Sequence, residues 1–571
     1  MPARHAHDMS ETTVRTLIDE FLAEQAGTTA VERFARAHDD ALDASPTAPL
    51  AARRYRDLLP ATPPAPGQQY AFEVDLDACS GCKACVVACG SLNGLPSGQS
   101  FRRTGTLVGA NDAEGTGRNL PVLRTVTTAC HHCAEPGCLA GCPADAYVKD
   151  PDTGVVRHLD DQCIGCQYCT LTCPYEIPAY DAERGIVRKC DLCADRLSAG
   201  EAPACVQACP THAISIRVVD LDDVHARGED PWPIPSPDPA VTRPATRWRT
   251  SEDLRDGVRA VDADAVVPGH AHPPLTVMLV LTQAAVGTLL ALLLGTWFVP
   301  ELAAVVAGPA AATALGTGVV ALGASVLHLG RPLQAWRAVL GLRHSWLSRE
   351  IVAFGAFAGL TATAAAALAT PTGPLAEAAT WLLPTATVVG LLGVFTSVMV
   401  YAVTGRRWWS TPRVAARFAA TTALTGCATL LLVVVGTAAV TGADVRGAVR
   451  ALAIASGSVG VGVGAADLAL LRHHRRHDVT AGRIAAIDDE LARVAWLHVR
   501  RMPGLTASRL VALCLGALAA PWLTWRMLAD DVGVGMLTAG AGLMTVVAGE
   551  LLERWRFFTA SAPPRMPGGL R

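Results

Sequence analysis

Cys163-Ile-Gly-Cys-Gln-Tyr-Cys-Thr-Leu-Thr-Cys-Pro174 decides how this chain is read. Its cysteines follow the spacing CxxCxxCxxxC, and a proline comes straight after the last of them. The same spacing occurs at Cys79, Cys82, Cys85 and Cys89. A further group, Cys130, Cys133, Cys138 and Cys142, widens one gap to four residues, and another, Cys190, Cys193, Cys205 and Cys209, widens it to eleven. Each group opens with CxxC and closes with CxxxC, and together they take sixteen of the eighteen cysteines.

The spacing has a geometric meaning. Three thiolates on a tight loop can cap three irons of one cubane, while the fourth, a turn further on, points away and ligates the other cluster of a pair; a proline usually follows it. Pro143, Pro174 and Pro210 follow Cys142, Cys173 and Cys209, whereas Gly90 follows Cys89. Sixteen thiolates thus supply four complete [4Fe-4S] sets. Structural zinc takes four ligands as two separated pairs, which gives a third cysteine three residues on no purpose. Disulfides need an oxidising compartment, and nothing before Cys79 reads as an export signal.

Composition divides the chain. Hydrophobic residues make up 51%, but they concentrate after residue 274, whereas charge, cysteine and proline concentrate before it. A net charge of -3 offers no bulk electrostatic case for nucleic acid. Residues 1–69 read as an N-terminal extension, with apolar positions from Thr13 to Ala37 at helical spacing. An α+β ferredoxin-like domain is expected over 70–219, with strands at Tyr70–Val74 and Ala213–Val219. Residues 91–128 read as a polar, Gly-rich insertion, and Lys83, Arg188 and Lys189, which lie near the cysteines, as solvated charges, the alternative being that they tune a cluster potential or dock a partner. Residues 220–273, rich in Asp, Pro and Arg, read as an extended, semi-rigid linker.

Residues 274–558 read as an all-α membrane anchor of eight helices, each near the roughly 20 residues needed to cross a bilayer. The expected spans are Leu275–Val299, Ala310–His328, Ile351–Ala369, Trp381–Val403, Val414–Val440, Ala451–Leu471, Ala507–Leu528 and Val534–Leu552, with a tail at 559–571. Arginines crowd alternate loops (Arg331, Arg337, Arg343 and Arg349 in one, Arg406, Arg407 and Arg413 in another) and the tail. By the positive-inside rule both termini and the cysteine domain are expected on the cytoplasmic side of the membrane. Trp408 and Trp409 read as interfacial anchors, Asp467 and Glu550 as partners of arginines near the interface or else as members of a proton path, and Cys427 and Cys514 as packing residues.

Ionisable groups in lipid are costly and are functional candidates by default. His328 closes the second span and Glu350 opens the third, both at the end facing the cysteine domain. A histidine beside a carboxylate can bond a quinone oxygen; the alternative is an interfacial histidine satisfied by backbone and headgroups. Two axial histidines inside the bundle are wanting, so haem is not expected.

These residues carry a family resemblance. The cysteine groups resemble the electron-transfer subunit of the dimethyl sulfoxide reductase family, and His328-Leu-Gly-Arg-Pro-Leu-Gln-Ala-Trp-Arg-Ala-Val-Leu340, with Ser345-Trp-Leu-Ser-Arg-Glu-Ile351 and Gly549-Glu-Leu-Leu-Glu-Arg554, resembles its membrane anchor. The resemblance covers nearly all of residues 70–558. It implies a lipid-embedded anchor that exchanges electrons with menaquinol from the quinone pool, and a separate molybdopterin-containing catalytic subunit. It implies quinone contacts at His328, Arg331 and Glu350. It also implies nested ligand sets: Cys79, Cys82 and Cys85 with Cys209; Cys190, Cys193 and Cys205 with Cys89; Cys130, Cys133 and Cys138 with Cys173; Cys163, Cys166 and Cys169 with Cys142. The alternatives are the same wire run in reverse, as in a sulfite or formate dehydrogenase reducing quinone, and a redox-coupled ion-translocating module. The cytoplasmic reading and the N-terminal extension are departures from the family pattern.

Overall fold

The computed structural model describes residues 58–568, save 61, 97, 113–118, 228–229, 231, 252–253, 255–257, 264, 299–300, 371–373 and 477–489. The helical pattern expected from Thr13 to Ala37 lies outside the described residues.

The soluble half is built on strands that are distant in sequence. β1 (Gln68–Asp75) pairs antiparallel with β8 (Ile214–Asp220), Phe72 opposite Ile216, which closes the cysteine region into one unit. Between them, β2 (Arg103–Asp112) and β3 (Asn119–Thr128) form a long hairpin. Two short hairpins follow, β4 (Tyr147–Lys149) with β5 (Val156–His158), and β6 (Ala179–Asp181) with β7 (Ile186–Arg188). Residues 91–128 are therefore not merely an insertion: Leu107, Val122 and Val126 bury one face of the β2–β3 hairpin against the cysteine core. The linker also departs from expectation. Its β9 (Arg247–Arg249) runs parallel to β1 and its β10 (Val258–Ala260) extends the hairpin sheet, while Trp232, Ile234 and Leu254 enter the same core. Proline spacing alone gave no sign of these apolar anchors.

Among the described residues, eight long helices form the membrane half: α1 (Pro273–Phe298), α2 (Glu301–Leu327), α3 (Trp346–Ala369), α4 (Pro374–Ala402), α5 (Thr411–Thr441), α6 (Arg446–Arg476), α7 (Pro503–Met527) and α8 (Val532–Thr559). All are long and apolar enough to span a bilayer. α1 and α5 are the most enclosed, and they meet at glycine. A Cβ on Gly287 would lie 2.0 Å from the Thr422 carbonyl, and one on Gly426 would strike Gly287, so only glycine lets these backbones close. Within α7, Cys514–Ala519 widens to a π-helical turn.

Two further expectations change. Trp408 and Trp409 are 1% exposed and donate their indole N–H groups to the Phe557 carbonyl, so they pack inside the protein and do not ride the interface. The tail, set apart as a segment of its own, packs back on the soluble half: Ala560, Ala562 and Met566 are buried, Met566 in the soluble core, and Arg565 pairs with Glu176 at 3.7 Å. Asp467 and Glu550 do meet arginines, Arg556 at 3.6 Å and Arg509 at 2.7 Å.

Candidate functional site

The sixteen cysteines gather in space into four sets, each drawn from two sequence groups. Cys79, Cys82 and Cys85 stand with Cys209 around one small void. Cys89 stands with Cys190, Cys193 and Cys205. Cys130, Cys133 and Cys138 line a second void with Cys173, and Cys163, Cys166 and Cys169 line a third with Cys142. Two features of the loops allow this. Gly81 and Gly165 take positive φ (72° and 71°) just before the second cysteine of their CxxC turns, and short helices such as Tyr168–Thr172 then carry the remaining thiols inward.

The chemistry of these donors suits iron-sulfur clusters. Burial, reinforced by neighbouring thiols, pushes Cys89 and Cys193 up to about 12 and Cys142 and Cys173 up to about 11. Such thiols ionise when a metal takes the place of the proton. All-sulfur donors in fours around shared voids fit cubane ligation better than scattered zinc pairs.

The sets form a row, each junction holding one buried side chain. Arg102 lies between the sets of Cys85 and Cys205, Lys189 between those of Cys190 and Cys130, and Tyr147 between those of Cys138 and Cys169. Lys189, expected as a solvated charge, is 6% exposed and donates to the Cys130 sulfur at 3.7 Å and the Cys190 carbonyl at 2.7 Å. Arg102 and Tyr147 were missed, because a lone arginine or tyrosine in a loop carries no pattern.

The last set sits on the membrane half. The loop between α2 and α3 receives it through backbone bonds, Arg331 N to the Ile164 carbonyl (3.1 Å) and Gly341 N to the Pro143 carbonyl (2.8 Å). Ser345 donates to the Gly141 carbonyl at 2.7 Å, and His344 meets Asp145 at 2.8 Å. The fit is close: a Cβ on Gly330 would lie 2.2 Å from the Gly185 carbonyl.

Beneath this seat, between α1, α2, α3 and α4, lies a largely apolar cavity of about 140 Å³. His328 and Glu350 both line it, and so does Cys166 of the last cysteine set. The His328 ring bonds the backbone of Cys166, leaving Nε2 buried and without a partner. Glu350 is 3% exposed and accepts the Ser397 hydroxyl. Arg331, expected beside them, turns away. Its guanidinium donates to the Asp160 and Cys163 carbonyls (2.8 and 3.5 Å), because the carbonyl-rich turn of the cysteine domain that docks there offers it acceptors the apolar cavity lacks. The sequence reading missed His272 and Tyr168, which complete the wall. His272 stacks edge-on to His328 with centroids 5.3 Å apart, and its Nδ1 is also buried without a partner. The Tyr168 hydroxyl donates to the Val400 carbonyl of α4. The His270-Ala-His272 pair just before α1 was the available signal for the first; Tyr168 lay hidden between two ligand cysteines.

Comparison with known proteins agrees with this division. Residues 122–219 match the 4Fe-4S dicluster domain, and residues 267–559 match the DMSO reductase anchor subunit (DmsC). The soluble half is 37% identical over 156 residues to the B chain of anaerobic dimethyl sulfoxide reductase from Haemophilus influenzae, covering 27% of this protein and 76% of that one. It is 38% identical over 155 residues to the corresponding Escherichia coli reductase component, covering 27% and 75%. It is also 39% identical over 154 residues to the formate dehydrogenase iron-sulfur subunit of Haemophilus influenzae, covering 25% and 49%. With sixteen thiols in an iron-sulfur unit seated on eight apolar helices, the chain belongs to the dimethyl sulfoxide reductase family, as a fusion of its iron-sulfur and membrane-anchor parts.

Proposed function

We propose that this chain carries electrons from a quinol, menaquinol in the family's manner, to a separate molybdopterin-containing catalytic subunit. The observation that supports it most is the meeting of a ring-sized cavity with a cysteine set, Cys166 lining both. A space of about 150 Å³ lined by apolar side chains accepts one benzene ring. This one has that size, room for one ring of a quinol head group, and offers the unpartnered His328 Nε2 and the Glu350 carboxylate to a ring oxygen. Histidine and carboxylate are the groups that take up and pass on protons as a quinol is oxidised.

Four [4Fe-4S] clusters, held by the four cysteine sets, would supply one-electron steps between the two-electron quinol and the partner. The chain's own residues do the rest: Arg331 and Ser345 hold the last cysteine set over the cavity, Tyr168 ties it to α4, and the apolar wall keeps water from the ring. Arginine-rich loops support a cytoplasmic position for this face of the membrane half. The formate dehydrogenase relative supports a second reading, in which the same row runs toward quinone.

His328→Leu tests the site. Menaquinol-driven reduction of the iron-sulfur signals should fall roughly 10²-fold, the scale of a lost acid-base group, while dithionite still reduces them. Equal rates in variant and parent would refute the assignment.

A further inference from the structure

The row of cysteine sets is electrically lopsided. Arg102, 1% exposed, stands among Cys85, Cys89, Cys190 and Cys205, its guanidinium over the Phe72 ring at 4.5 Å and its Nη1 on the Thr127 hydroxyl at 3.3 Å. Its Nε and Nη2 have no partner. Lys189 stands between Cys190 on one side and Cys130 and Cys138 on the other. Among the described residues, no carboxylate lies within salt-bridge reach of either cation. A buried unpaired charge is costly, so these two are tolerated because the anionic sulfur around them answers their charge.

The last junction, nearest the membrane, is different. There the buried residue is Tyr147, a neutral phenol among Cys138, Cys142 and Cys169. Arg331, by Cys163, shares the neighbourhood with Asp160, and Asp145 lies by Cys142.

Resting on the four-cluster reading above, we propose that Arg102 and Lys189 give the row its direction. Their fixed charges raise the reduction potentials of the three outer clusters above that of the one held by Cys142, Cys163, Cys166 and Cys169. Each transfer moves one electron, with no bond made and no proton carried, so a fixed charge acts on it only through potential. A cubane with four thiolates is net negative and becomes more so on reduction. A cation a few ångströms away therefore favours the reduced form, strongly where water is absent. The arrangement sets an electron leaving the membrane cavity on a downhill path toward the outer end. Asp191, which neighbours Cys89, Cys190 and Cys193, opposes the two cations at the Cys89 set.

Anaerobic potentiometric titration followed by electron paramagnetic resonance, on the full chain in membranes, tests this. Cys166→Ser identifies the membrane-proximal signal. Lys189→Met should lower the potentials of the clusters at Cys190 and Cys130 by a tenfold or greater change in the reduction equilibrium, about 59 mV for one electron. Arg102→Met should do the same at Cys85 and Cys205. Neither should move the membrane-proximal cluster, and Lys189→Arg should restore most of the loss. Asp191→Asn should raise the potential of the Cys89 set, and it decides the matter if the methionine variants lose iron. A parent chain with full iron content whose potentials stay put in every variant, or shift equally in all clusters, overturns this inference alone. A parent chain lacking four clusters overturns the reading beneath it.

Discussion

Two polar places in the membrane half are built in opposite ways. In the cavity, His328 Nε2 and His272 Nδ1 are buried with nothing to bond, and Glu350 faces the same space. Across the bundle, between α5, α7 and α8, charges face one another. Arg509 meets Glu550 at 2.7 Å, Thr421 donates to Glu550 at 2.6 Å, and Arg554 donates to Gln283 and Thr421 at 2.9 and 2.8 Å. Arg417 adds a contact to Glu553 at 3.5 Å. An intramembrane charge is therefore not one kind of signal. Groups turned toward open space suit the quinol proposed above, whereas oppositely charged groups turned toward each other hold helices together.

Breaking the matched cluster should have the largest effect. Arg509→Leu leaves Glu550 buried and unpaired, and should cost about 3–5 kcal/mol, read as a large drop in the thermal unfolding midpoint in lipid nanodiscs. Replacing both partners by leucines should return most of the stability, and an equally unstable double variant would show that the pair does more than pack.

The seat between the two halves comes next. Gly330→Ala places a methyl 2.2 Å from the Gly185 carbonyl, and the strain should be about 1–3 kcal/mol. Because the strain falls at the docking surface, menaquinol-driven reduction should slow while iron content holds; intact kinetics would mean the seat is pliable.

In the cavity a milder change suffices. Glu350→Gln keeps the acceptor for Ser397 but removes the acid, so quinol oxidation should slow roughly 10²-fold with thermal stability nearly unchanged. A large stability loss instead would move Glu350 into the class of Glu550.

The smallest effect is expected at Cys514, exposed on α7 and outside every cysteine set. Cys514→Ser should leave iron content intact and stability within about 0.5 kcal/mol. A loss of iron there would upset the division of ligand from non-ligand cysteines.

Much of this architecture was legible beforehand, for physical reasons. Ligand spacing is a local constraint, so the CxxC turns at Cys79 and Cys163 announce themselves, and the length of a bilayer forces apolar runs such as Leu275–Val299. His328 and Glu350 stood out because charge in lipid is rare. What failed was long-range. The pairing of β9 with β1 joins residues far apart in sequence, and proline-rich chain gives no hint of it. Trp408 reads the same in sequence whether it faces headgroups or, as here, the Phe557 carbonyl. Arg331 is equally ambiguous, since a guanidinium by a cavity can as well bond the turn that docks above it. Lys189 could be singled out as a charge near the cysteines, but only folding, which buries it between two sets, decides against the solvated reading; Arg102 became informative only when folding placed it likewise.

On the function proposed above, a quinol in the membrane cavity feeds electrons through the cysteine row to its far end. The most direct test mixes the anaerobically prepared chain with menaquinol and follows the paramagnetic signal of the outermost cluster, the one that Cys82→Ser removes. That signal is predicted to grow on quinol addition. A signal that stays silent with menaquinol, yet appears with dithionite, would contradict the account.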